Sequence, residues 1–158
     1  MEGKTHIAGG VAAGVFYLTY GESVDSELLF IGSCMLGALI PDIDHTGSML
    51  GRKVPLLDDI ISGVFGHRTI THSLLFMILA FFMFKWTSWP PDLEFGILIG
   101  IASHLLLDAL TEQGIQFFWP FKIKVGIPIG ITTGGMLEKG FMALLILFIG
   151  YFGFSTYF

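Results

Sequence analysis

The sequence is short of charge, of cysteine and of basic runs. Only 13% of its 158 residues are charged, while 53% are hydrophobic, and soluble domains carry about twice that share of charge. The single cysteine, Cys34, excludes an intramolecular disulfide and a multi-cysteine zinc site. A net charge of −5 without a basic or aromatic-basic patch argues against a nucleic-acid partner. The composition predicts a membrane protein, and the length predicts one domain over residues 1–158.

Several catalytic motifs are also missing. There is no Gly-rich phosphate loop, no G-x-S-x-G elbow and no H-E-x-x-H pair. The first residues lack the strongly basic region and cleavage site of a signal peptide, so we expect the first apolar segment to be retained. Any chemistry must therefore come from residues outside these motifs.

Five apolar segments predict an all-α polytopic membrane bundle with about four or five spans. They are Ile7–Tyr20, Leu28–Ile40, Ser73–Trp89, Leu93–Leu110 and Met136–Phe154. The last three are long enough to cross a bilayer, which takes about 20 residues, and the first two are short. The pattern of 56–65 is that of an amphipathic helix lying in the interface. The stretch 114–135 predicts a short strand pair or an irregular loop, anchored at the interface by the aromatics of 117–121.

The basic residues favour one orientation in an inner membrane. If all five segments cross, seven basic side chains lie on one side and Lys85 alone lies near the other. The seven are Lys4, Arg52, Lys53, Arg68, Lys122, Lys124 and Lys139. The positive-inside rule then predicts a cytoplasmic N-terminus.

All five histidines lie at the edges of apolar segments, accompanied by acids. In the predicted topology every one of these groups falls on the cytoplasmic face. The candidate metal ligands are His6, Asp42, Asp44, His45, His67, His72, His104 and Asp108, and Glu138 opens the last segment. Ionisable groups at membrane depth are costly, so their clustering indicates a functional site.

Each motif alone has an ordinary explanation. His104 and Asp108 share a helix face and can bond to each other instead of to a metal. The acids of 42–45 can end a helix or cap the next one. His6 can be an interfacial residue, and Glu138 can be an acid favoured by a helix dipole.

Together the motifs predict a divalent metal site, with zinc, manganese or iron as the ion. Such an ion activates water and polarises a phosphoryl oxygen. Asp42 or Asp44 could bridge metals or act as a general base. Arg68 is suited to clamping a phosphate, because its guanidinium fork matches phosphate oxygens. Glu138 is a further candidate catalytic acid.

The motifs resemble those of the YdjM-like family, which is described as LexA-regulated, membrane-bound metal-dependent hydrolases of bacteria and archaea. The matching pieces are Thr5-His6, residues 39–45 and 48–51, Gly66-His67-Arg68, Thr71-His72-Ser73, Ser103-His104, Asp108, Thr111, Gly114, residues 118–120 and Glu138. They follow the family's order from residue 5 to about 140.

The order of ligands is also similar, more distantly, to that of zinc-dependent phospholipases C and related single-strand nucleases. This likeness implies His6, Asp42 or Asp44, His67 or His72, His104 and Asp108 as ligands of one or two ions. We expect hydrolysis of a phosphoester in a membrane phospholipid or lipid-linked substrate. The alternatives are a metal-ion carrier or sensor with the same ligands, and a non-catalytic lipid-remodelling protein.

Overall fold

The described part of the protein is helical. The computed structural model describes residues 1–44, 48, 70–128 and 130–157. Its α-helices are α1 (Gly3–Tyr20), α2 (Glu27–Gly37), α3 (Leu74–Thr87), α4 (Pro91–Ala109) and α5 (Met136–Tyr157), and a short 3₁₀ helix covers Pro41–Asp44. The predicted all-α class is confirmed. The predicted interfacial helix over 56–65 lies outside the described residues.

Each apolar segment of the sequence corresponds to one helix, with one useful difference. α1 begins at Gly3, not near Ile7, so His6 lies inside the first helix. The polar first turn of α1 carries no apolar signal, which is why the sequence placed its start too late. Within the described part of 114–135, the backbone is irregular and holds isolated β-bridges, Thr111 with Ile131 and Ile115 with Val125. The loop alternative is therefore the one observed there.

Hydrogen bonds from side chains define several helix ends. The Ser26 side chain accepts from the backbone of Leu29 at the start of α2. Ser73 does the same for Phe76 at the start of α3, at 3.2 Å. Both serines satisfy an amide that the helix itself leaves without a partner. Ser73 directly follows His72, so this cap also fixes where His72 sits relative to α3.

Glycines let α2 approach α4 and α1 closely. A Cβ on Gly100 would lie 2.3 Å from the Cys34 carbonyl oxygen, and one on Gly96 would lie 2.6 Å from that of Phe30. On α1, a Cβ on Gly10 would lie 2.6 Å from the same Cys34 oxygen. Small residues permit such backbone contact between helices. The close crossing brings the C-terminal end of α2 against the middle of α4, one turn before His104.

The exterior of the bundle is apolar and one end of its interior is polar. Within the described ranges, α5 alone is long and apolar enough to be a candidate span, over Met136–Thr156, and only 6% of its apolar window is buried inside the protein. The buried polar side chains include Thr5, His6, Asp42, Thr71, His72, Ser73, His104, Asp108, Thr111 and Glu138. An apolar exterior around buried polar side chains is the opposite of the arrangement in a soluble domain.

The opposite end of the bundle holds a separate set of polar contacts. The carboxylate of Asp92, at the start of α4, accepts from the backbone of Ser26 at 2.6 Å and of Asp25 at 3.3 Å. Lys85 and the mostly buried Glu94 form an ion pair at 2.9 Å. These contacts fasten the connection before α2 and the end of α3 to α4.

Candidate metal centre

Two histidines from different helices lie face to face at the polar end. The rings of His6 on α1 and His104 on α4 stack with their centroids 3.7 Å apart and their planes 15° apart. Both side chains are fully buried. His6 Nε2 lies 3.2 Å from Oδ1 of Asp108, one helical turn beyond His104. His6, His104 and Asp108 therefore form a group able to hold a metal ion.

A second group shares His104 and adds two residues from the connections. Asp42 belongs to the 3₁₀ helix after α2, and His72 comes just before α3. The Nε2 atoms of His72 and His104 lie 3.6 and 3.8 Å from Asp42 Oδ1, and the same distances separate them from Asp108 Oδ2. Asp42, His72 and His104 have ligand atoms within 4.8 Å of one another. Four side chains thus converge around His104.

The distances and the chemistry of these atoms fit a divalent cation. Ligand atoms about 2.1 Å from a zinc ion lie about 3.0–3.5 Å apart in octahedral or tetrahedral arrangements, and the contacts above fall close to that spacing. His6 Nδ1 is buried without a hydrogen-bond partner, while His6 Nε2 faces the Asp108 carboxylate. A buried nitrogen without a partner is costly, and coordination to an ion removes that cost.

Hydrogen bonds behind two of the rings orient their Nε2 atoms inward. His104 Nδ1 lies 2.7 Å from the carbonyl oxygen of Ala38. A carbonyl only accepts, so Nδ1 carries the proton and Nε2 keeps its lone pair. His72 Nδ1 lies 3.0 Å from the Thr71 hydroxyl, and the two Nε2 atoms are 3.2 Å apart. Metal-bound histidines usually have such a partner on the second nitrogen.

The electrostatics favour ionised carboxylates at this end of the protein. Burial opposes ionisation of Asp42, but the hydrogen bond with His72 and the nearby His104 and His6 rings outweigh it and hold the pKa of the carboxyl at about 2. The amino group of Met1 also contacts Asp108 Oδ1. Asp42 is thus negatively charged at neutral pH, which favours the binding of a cation here.

Glu138 lies beside this cluster but holds backbone instead. Its two carboxylate oxygens accept from the amides of Glu2 and Gly134, each at 2.6 Å. The Thr5 hydroxyl also bonds to it, and the side chain is only 2% exposed. These contacts tie the start of α1 to the start of α5, which places His6. A positioning role accounts for these contacts, and the catalytic role predicted for Glu138 stays a prediction.

The structure brings together five of the candidate ligands, His6, Asp42, His72, His104 and Asp108. His45, His67 and Arg68 lie outside the described residues, as does the side chain of Asp44. The sequence missed Thr71 and the carbonyl of Ala38 as partners of the histidine rings. The Thr-His dipeptide is a signal for the first of these. No sequence signal points to a backbone carbonyl on another helix.

Comparisons with known proteins identify the family of this chain. The family model described as YdjM inner membrane protein matches residues 1–158. The chain belongs to the YdjM family. A Bacillus subtilis (strain 168) protein, YvsG, is 45% identical over 150 residues, which cover 93% of this chain and 91% of that protein. The inner membrane protein YdjM of Escherichia coli (strain K12) is 39% identical over 115 residues, covering 69% of this chain and 59% of its own length. No solved structure matches the chain.

Membership of the YdjM family explains the apolar exterior of the bundle. The family is one of inner membrane proteins, so the large exposed side chains of α5, such as Leu144 and Leu147, belong against lipid. Buried histidines and carboxylates at one end of such a bundle are then a possible metal-binding group in a membrane protein.

Proposed function

We propose that this chain is a membrane-bound, metal-dependent hydrolase that cleaves a phosphoester of a phospholipid or lipid-linked substrate. The observation that carries the proposal is the convergence of five buried ligand groups from α1, α4 and the connections around α2 and α3. Such a set would hold one or two ions, and the single Nε2 lone pair of His104 would go to one of them. Zinc is the first choice, and manganese or iron would also accept imidazole with carboxylate.

Different residues would have different roles in such a reaction. A divalent ion held there would supply an activated water and polarise a phosphoryl oxygen. Asp42, which is ionised and lies at the edge of the cluster, would accept a proton from that water. The Ala38 carbonyl would keep His104 in the tautomer that leaves Nε2 free to coordinate, and the Thr71 hydroxyl would hold the ring of His72 in place.

The position of the site favours a substrate with a phosphate head group. The cluster lies at the end of the bundle, where the head groups of one leaflet would be level with it. Arg68, four residues before His72 in the sequence, would hold the phosphate as a bidentate clamp. The aromatic residues of 117–121 would seat this end of the protein in the interface.

The proposed topology is multi-pass, with four or five spans and the site at the cytoplasmic face. α1 and α4 have 18 and 19 residues, about 27 and 29 Å at 1.5 Å per residue, close to the thickness of a hydrocarbon core. α2 and α3 are shorter, with 11 and 14 residues. The seven basic residues that the predicted topology assigns to the cytoplasmic side would then obey the positive-inside rule.

The test is turnover of lipid by the purified full chain in vesicles of phosphatidylglycerol, with zinc or manganese supplied. We expect release of a water-soluble phosphate, strongly reduced in Asp42→Asn and retained in Asp92→Asn. Asp92 is a matched control because both aspartates are 8% exposed and they lie at opposite ends of the bundle. Metal-loaded protein that releases nothing from any phospholipid head group, but carries metal ions across proteoliposomes, would replace the hydrolase with a carrier.

A further inference from the structure

An apolar groove runs along the outside of the bundle between α4 and α5. Its volume is about 550 Å³, and α1 forms its floor, because α5 packs chiefly against α1. The lining includes Ala13, Phe16, Leu106 and Phe148. Its rim is open sideways, since Phe16 and Leu106 are 51% and 65% exposed. A pocket of about 300–1,000 Å³ is the usual size for a small-molecule site.

The groove presents almost nothing polar to an occupant. Ser103 is one of its few polar residues, and its hydroxyl is already bonded to the Gly100 carbonyl at 2.8 Å. The occupant must therefore be apolar along its length. Water in such a groove would leave its hydrogen bonds unmade.

The groove begins within one turn of a residue of the candidate site on each helix that lines it. Gly9 follows His6 by three residues, and Leu107 directly precedes Asp108. On α5, Phe141 follows Glu138 by three residues. From Ile99 to Leu110, just after the end of α4, the lining covers 12 residues, which is about 16 Å. That length is close to one leaflet of a hydrocarbon core about 30 Å thick.

We propose that this groove holds the hydrocarbon chain of the lipid whose phosphate reaches the metal centre. This inference rests on the proposed function and adds the way in which the substrate is held. A bilayer is as apolar as the groove, so the lipid chain gains no hydrophobic burial by entering it. The groove instead positions the substrate: it aligns one chain parallel to α1 and sets the head group level with His6 and Asp108. A groove that continues from the ligands for the depth of a leaflet fits one acyl or isoprenyl chain.

The test uses Ala13→Trp, which fills the floor of the groove, and Ala143→Trp as its matched control. Ala143 lies on α5, is exposed and does not line the groove. The full chain is reconstituted in vesicles containing phosphatidylglycerol with a photoreactive diazirine in its acyl chain. Cross-linked residues are then mapped by mass spectrometry, and bound metal is measured for each variant.

We expect labels concentrated on groove residues of α1, α4 and α5. Ala13→Trp should lose most of this labelling, whereas Ala143→Trp should keep it, with equal bound metal in all three proteins. Labels spread evenly over every lipid-facing side chain would mean bulk lipid only, and would overturn the inference. Unchanged labelling in Ala13→Trp would do so too.

Measuring hydrolysis of a lipid and of a soluble substrate distinguishes the groove proposal from the hydrolase proposal. Ala13→Trp should slow hydrolysis of the long-chain lipid several-fold and leave a water-soluble phosphodiester, bis(p-nitrophenyl) phosphate, unaffected. A wild-type protein that cleaves neither substrate contradicts the hydrolase, while the cross-linking still decides whether the groove holds a chain. Equal loss of both activities in Ala13→Trp would contradict the groove and leave the hydrolase standing.

Discussion

Replacing Gly100 with alanine tests whether the crossing of α2 and α4 sets the geometry of the site. A Cβ at this position would lie 2.3 Å from the Cys34 carbonyl oxygen, 2.6 Å from the Ala38 nitrogen and 2.8 Å from the Gly37 carbonyl carbon. All of these are backbone atoms, which cannot rotate out of the way. Ordinary contact begins at 3.4 Å, so α2 and α4 must separate by about 1.1 Å.

That separation has two expected consequences. Overpacking of this kind costs about 1–3 kcal/mol, which lowers Tm by about 3–10 °C in a chain of this size. It also stretches the 2.7 Å contact between His104 and the Ala38 carbonyl. Loss of such a partner typically weakens metal binding about 10–100-fold. Gly100→Ala should therefore lower both Tm and metal affinity.

The matched control is Gly32→Ala, also on a helix of this pair. A Cβ at Gly32 meets nothing within 4 Å, and replacing a helical glycine with alanine stabilises by about 0.5–1 kcal/mol. Both proteins are compared in the same detergent by thermal unfolding and by titration with zinc. If Gly100→Ala matches Gly32→Ala in Tm and in zinc affinity, the close crossing does not set the site.

Three further predictions concern the two ends of the bundle. Thr71→Val keeps the side-chain shape but removes the hydroxyl near His72, so zinc affinity measured by competition should fall about 10–100-fold; an unchanged affinity would remove Thr71 from the site. Asp92→Ala should lower the free energy of unfolding by about 1–3 kcal/mol, because the Ser26 amide loses its carboxylate acceptor. The amount of bound metal should not change, and loss of metal would show that the two ends of the bundle are coupled. Chelation should lower Tm, since an ion at 100 times its Kd stabilises by about 2.7 kcal/mol; an identical Tm with and without chelator would contradict a structural metal.

The helices were largely predictable because each is an apolar run bounded by polar residues or glycine. Their order and the shared face of the ligands followed from the alternation of segments. The start of α1 was missed because its first turn is polar. The number of spans is still a prediction, since among the helices of the described ranges hydropathy identifies α5 alone as a candidate.

The sequence pointed to the five side chains that the structure brings together, but not to their geometry. The spacing of His104 and Asp108 places them on one helix face, and that part needs no tertiary structure. Local sequence could not place Asp42 in the cluster, since its position depends on the 3₁₀ turn that follows α2. The stacking of His6 on His104 depends on how α1 packs against α4. The groove depends in turn on α5 packing against α1, which no single segment encodes.

The central claim is that the cluster around His104 binds metal, and elemental analysis tests it most directly. The purified full chain, loaded with zinc and freed of excess, should contain one or two ions per chain. His104→Ala, which breaks both ligand groups, should lose them, and Asp92→Ala should keep them. A folded wild-type protein with no stoichiometric metal after loading with zinc, manganese or iron would contradict the account.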